Sequence, residues 1–212
     1  NTLKKRLSVA VGFAVNEKEK KETAKDSVLD LTYETFLDKE VTLKKIEALS
    51  SCEFISLAES TDQEGNLTGL ALGDNQSCFW LTVDVLQSPE VISELNKLFS
   101  TNGSGVTVHD GKKSYLHLAQ NGIILENITI DVTLAQHLLE GSDSSEPLSE
   151  ILSKYTNIFF PPEVEREGQL NFDSEGDQLH DAVVNAKAIA KLHEPLNEAL
   201  KSQGLHHLNK DV

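Results

Sequence analysis

The stretch FISLAESTDQ, Phe54 to Gln63, is an apolar run that closes on a single carboxylate, Glu59. It reads as a β-strand followed by turn residues. Side chains two apart on a strand share a face. Two acids at that spacing would present their oxygens together to a divalent cation, whose preferred ligands are ionised carboxylates. Here the residue two before Glu59 is Leu57, so the strand has the shape of such a site and only one of its acids. Asp62 and Glu64 repeat the spacing five residues later. They fall in DQEGN, which carries turn chemistry with Gly65-Asn66 at its centre.

Reading outward, LTGLALG and SCFWLTV are two further strands joined by the tight turn DNQ, so the region is a β-meander. Ser88-Pro89-Glu90 opens a helix, with Ser88 as cap, Pro89 at the first helical position, and an apolar face of Val91, Ile92, Leu95, Leu98 and Phe99. VTVHD is a fourth strand, and GKKSYLHLAQNG is a helix that Gly122 ends. IILENITI holds the fifth strand and its approach. DVTLAQHLLEG is a helix capped by Asp131 and stopped by Gly141, and SEPLSEILSKY is a short helix with Pro147 at its start. An irregular excursion, TNIFFPPEVEREGQLNFDSEGDQ, precedes a long last helix beginning LHDAVV, kinked or interrupted near Pro195. Before the meander, apolar residues from Phe36 to Leu49 recur at roughly helical spacing, with Thr42 a possible internal cap. NEKEKKETAKDS is a linker or a solvated helix. The order predicts an α/β domain: a five-stranded mixed sheet with helices on both faces.

Bulk properties narrow the function. The chain has 212 residues and a formal net charge of −15, from 34 acids against 19 bases. Gripping nucleic acid draws on clustered Lys and Arg, so this portion is not expected to hold DNA by itself. Cys52 and Cys78, the only cysteines, form neither a disulfide framework nor a zinc-spaced pair, which points to a reduced, cytoplasmic protein. No apolar run reaches the ~18–20 residues of a membrane span. LSVAVGFAV, after KKR, imitates a signal peptide but lacks a cleavage pattern and reads as folded chain. The sequence contains no methionine and opens on Asn1, as a piece of a longer protein would. Nothing calls for an oligomer, so a monomer is expected.

The segments FISLAES…LTGLALG, VHDGKKSYLHLAQNGI, IDVTLAQHLLEG…PLSEILSKY and LHDAVVNAKAIAKLHEPL, in this order and spacing, resemble the 3′–5′ exonuclease-like domain of bacterial DNA polymerase I, a family A polymerase. The resemblance runs from about Leu31 to the C-terminus. It implies a ribonuclease H-like (DnaQ-like exonuclease) fold over residues 31–212, after a linker or partly ordered segment at 1–30. It also implies a polymerase domain of the same chain as partner, DNA contacted through that parent, and Mg2+ as the parent's cofactor.

Active members of that family place two divalent ions ~3.5–4 Å apart to stabilise the attacking and leaving oxygens of a phosphodiester displacement. They supply four acids: a D-x-E pair on the first strand, an Asp on a middle helix and an Asp on the last helix. A Tyr four residues before that last Asp orients the water. On this chain those positions fall on Leu57, Glu59, Ser114 and Asn185, and the tyrosine falls on Asp181. One carboxylate of four remains, so the resemblance implies a silent domain with no metal of its own that supports the polymerase. Two other functions compete: an active two-metal proofreading exonuclease using Asp62, Glu64 and shifted acids, or a related-fold interaction module. Asp110 and Asp131 read as helix caps. His109, His117 and His137 are scattered over different elements, and His206-His207 lies in a solvated tail. Lys112-Lys113, the one basic doublet near the cleft, reads as a helix face.

Overall fold

The computed structural model describes residues 27–141, 146–162 and 174–209. The expectations for LSVAVGFAV, for most of NEKEKKETAKDS, and for residues 163–173 of the excursion lie outside these.

The meander forms as its turn chemistry requires. β3 (Phe54–Thr61) pairs antiparallel with β4 (Leu67–Gly73), and β4 with β5 (Cys78–Thr82). Asp62 organises the first turn by accepting from the backbone N–H groups of Glu64 and Asn66, and Gly65 takes φ +85°, which costs glycine nothing. Asp74 does the same for the second turn, accepting from Gln76 and Ser77. β6 (Gly105–Val108) then joins β3 in parallel, and β7 (Ile128–Asp131) joins β6 in parallel.

The mixed sheet has one strand more than the five expected. β2 (Glu34–Phe36) pairs in parallel with β5, giving the order β2-β5-β4-β3-β6-β7. The spacing of Phe36 and Leu37 suggested a helix, but Asp38 intervenes. Its carboxylate accepts from Val41 N–H and starts α1 (Lys39–Leu49) three residues after Phe36 has docked against Phe79. Thr42, the expected internal cap, instead donates its hydroxyl to the Asp38 carbonyl. A second, two-stranded sheet joins β1 (Ser27–Val28) to β8 (Ile158–Phe159).

Helices cover both faces of the main sheet. Alternation along the strands sends Ile55, Leu57, Leu70, Leu72, Phe79 and Leu81 to one side. There they meet α1, α2 (Val83–Leu86), α3 (Pro89–Leu98) and α4 (Gly111–Gln120). Ala58, Ala71, Cys78 and Trp80 point to the other side, against α5 (Val132–Glu140), α6 (Leu148–Thr156) and α7 (Ser174–Ser202). On that side Gly69 has a steric reason to lack a side chain: a Cβ would come within 2.0 Å of the Trp80 ring. α7 begins earlier than expected and passes through Pro195 without a break. Leu192, Leu196 and Leu200, all fully buried around it, hold the helix where the proline removes one backbone bond.

Candidate functional site

The candidate site lies at the end of β3. Leu57 and Glu59 share the face that looks onto α4. Leu57 is 1% exposed and belongs to the core on that side, so its position is filled by packed hydrocarbon. Glu59 is the one acid at the strand end, and its side chain is 10% exposed. α4 satisfies it. Asp110 caps that helix by accepting from Lys113 N–H, which sets the rotation of the first turn. Ser114 and His117, three residues apart, then fall on the inner face. The Ser114 hydroxyl donates to Glu59 Oε2 at 2.9 Å, and His117 Nδ1 lies 3.3 Å from Glu59 Oε1. Both carboxylate oxygens therefore have protein partners.

Asp181 and Asn185 are carried by α7, which packs on the opposite face of the sheet. Asp181 is exposed and Asn185 half-buried, and neither side chain makes a hydrogen bond or ion pair with another described residue. The structure thus brings Glu59 and Ser114 together and leaves Asp181 and Asn185 outside that contact. His117, which shares no element with His109 or His137, joins them. Its signal was the interval of three from Ser114, which places both on one helical face.

The remaining acids are occupied structurally. Asp131 caps α5 by accepting from Leu134 N–H, and its other oxygen accepts from Gly111 N–H at 2.8 Å. Burial pushes its carboxyl above the usual range, against the lowering effect of those N–H groups. Asp62 and Glu64 lie in the β3–β4 turn, where the Asn66 amide and neighbouring backbone N–H groups hold Asp62 below the usual range. His109 sits between β6 and α4, and burial lowers its pKa despite the nearby charge of Asp131. Lys112 and Lys113 are exposed on α4.

A metal fits poorly here. Among the described residues no three His, Cys, Asp or Glu side chains group to hold an ion. Leu57 offers no lone pair, Ser114 is spent on Glu59, and one carboxylate cannot balance a pair of dications. A shallow depression along α3, bordered by Pro89, Ile92, Asn96 and Lys97, touches none of these positions.

With this geometry in hand, the profile of the family described as DNA polymerase I, ribonuclease H-like domain, matches residues 54–159, half of the chain. The chain belongs to that family. No curated protein sequence matches it. Among solved structures it is similar to the POL domain of Pol1 from M. smegmatis in complex with DNA primer-template and dNTP. That match has TM-score 0.68 and 17% identity, and it covers 84% of this chain and 29% of that one. The chain thus spans under a third of the mycobacterial polymerase chain. It is also similar to the Aedes aegypti Nibbler EXO domain (TM-score 0.63, 14% identity, 86% of this chain and 95% of that one). Escherichia coli RNase D, an exoribonuclease involved in structured RNA processing, matches with TM-score 0.65 and 13% identity, over 85% of this chain and 51% of that one. At these identities the likeness is one of fold, the ribonuclease H-like exonuclease fold. No described helix is long and apolar enough to cross a membrane.

Proposed function

We propose that residues 31–212 form a catalytically silent 3′–5′ exonuclease-like domain of a DNA polymerase I, serving as structural support for a DNA-directed polymerase domain of the same chain. That parent would act in replication and repair, with Mg2+ in the polymerase site and none in this domain. One observation supports the reading: Leu57, the position the family resemblance matches to the first metal-binding acid, is packed core hydrocarbon, and Glu59 is already engaged by Ser114 and His117. The family match and the fold likeness to the mycobacterial polymerase chain support the choice of parent. The negative charge of −15 agrees with a domain that leaves DNA contact to its neighbour.

Incubation of the purified protein with end-labelled single-stranded DNA and Mn2+ tests this. The expected outcome is no stepwise shortening above a buffer control. Shortening that disappears in Glu59→Gln would defeat the proposal and establish an active two-metal exonuclease instead.

A further inference from the structure

The main sheet has two edges, and among the described residues β7 is hydrogen-bonded to a strand on one side only. An open strand edge leaves backbone N–H and C=O groups unpaired, and folded proteins cover such edges by some device. At β7 the device is one side chain from beyond the end of α7. The backbone N–H of Asp131 donates to Asn209 Oδ1 at 3.0 Å, and Asn209 Nδ2 donates to the Asp131 carbonyl at 3.2 Å. A carboxamide carries the same donor and acceptor as a peptide group. Asn209 therefore meets Asp131 as a neighbouring strand residue would, by exchanging both bonds. It is 1% exposed, although Leu208 before it is 44% exposed.

Asp131 extends the contact inward. Its carboxylate accepts from Leu134 N–H at the start of α5 and from Gly111 N–H at the start of α4. Gly111 is restricted to hydrogen because a Cβ would lie 2.9 Å from Asp131 Oδ2. α4 in turn presents Ser114 and His117 to Glu59. One set of hydrogen bonds thus runs from the segment after α7, through the sheet edge, to the helix that engages Glu59.

We propose that Asn209 is a positioning residue. Its amide serves as a surrogate strand residue that pairs the last residue of the β7 edge with the segment following α7 and, through Asp131, fixes the N-terminus of α4. Asn209→Ala removes both bonds. Asn209→Leu removes them while keeping apolar volume. Amide hydrogen exchange read residue by residue by NMR on the intact protein separates hydrogen bonding from packing. In both variants the Asp131 amide should exchange about tenfold faster, the effect of one lost hydrogen bond of ordinary net strength. The Gly111 amide should follow in the same direction. Asn209→Ser supplies an uncharged hydroxyl that can accept from Asp131 N–H, so it remains measurable if the other two fold poorly, and it should show a smaller acceleration at Asp131. Unchanged exchange at Asp131 in Asn209→Ala, or full protection retained in Asn209→Leu, would overturn the surrogate-strand assignment. Faster exchange at Asp131 with none at Gly111 would overturn the link to α4.

Discussion

Placing an acid at this position with Leu57→Asp is the sharpest perturbation, because a packed core position and a metal-ligand position predict opposite responses. Leu57 is 1% exposed and packs among Ile55, Leu70 and Leu72. Removing it from the core forfeits about 2 kcal/mol of apolar burial. Placing a carboxyl in that apolar setting costs at least about 2 kcal/mol more. Glu59 on the same face adds like-charge repulsion, which pushes one of the two carboxyls towards its neutral form. The expected loss is therefore about 4 kcal/mol or more, among the larger effects of a single substitution. Urea denaturation followed by far-UV circular dichroism, with and without about 10 mM Mg2+ or Mn2+, measures it. A true dication site of sub-millimolar affinity would return about 2.7 kcal/mol at a hundredfold excess over its dissociation constant. Ser114 and Asn185 contribute no charge, so no such rescue should appear. A loss below about 1 kcal/mol would refute the packing of Leu57, set against the 2 kcal/mol its burial alone predicts. Recovery of most of the loss by Mn2+ in the variant, and not in the wild type, would refute the idea that the remaining ligands cannot hold an ion.

Three further outcomes are expected. Ser114→Ala strips a charge-assisted donor from Glu59 and should cost about 1.5–3 kcal/mol in urea titrations, whereas the double variant Ser114→Ala/Glu59→Ala should cost less than the sum of the singles. His193 is stacked on Phe54 and 2.7 Å from the Thr107 hydroxyl; burial first, then the charge of Lys201, pushes it from 6.5 down to about 4. A base with a depressed folded pKa gives stability that is present above pH 6.5 and lost as pH falls towards 4, a span of about 2–3 kcal/mol, and His193→Gln should flatten the pH dependence of the denaturation midpoint over that window. Gly69→Ala should displace the Trp80 ring from the α7 side; since this is the protein's only tryptophan, near-UV circular dichroism and intrinsic fluorescence report the displacement directly.

Much of the fold was legible because local chemistry and tertiary packing agree. Ser88-Pro89, Asp110 and Asp131 each mark a helix start in the sequence and sit at one in the structure, and Gly141 ends α5 at φ +62°. β2 was not legible. Phe36 and Leu37 fit a helical stripe by spacing, and only the parallel pairing with β5, a contact more than forty residues away, makes Phe36 a strand residue. At Pro195 the helix is not interrupted: the lost backbone bond is a local cost, outweighed by leucines that bury the helix on the sheet. At the strand end, Leu57 and Glu59 could be placed by their spacing on the strand, and Ser114 by the resemblance to the family. The engagement of His117 with Glu59 depends on how α4 is rotated over β3, which the cap at Asp110 sets and which no linear pattern states. Asn209 gave no signal at all, since its partner lies 78 residues earlier in the chain.

The sheet also works as a bulkhead. Leu57 and Glu59 belong to one compartment, His193, Trp80 and the leucines of α7 to another, with a layer of backbone between them. Changes in separate compartments that share no partner should act independently. The helix-α7 compartment can therefore be reinforced to compensate for edits at the strand end that carries Leu57 and Glu59.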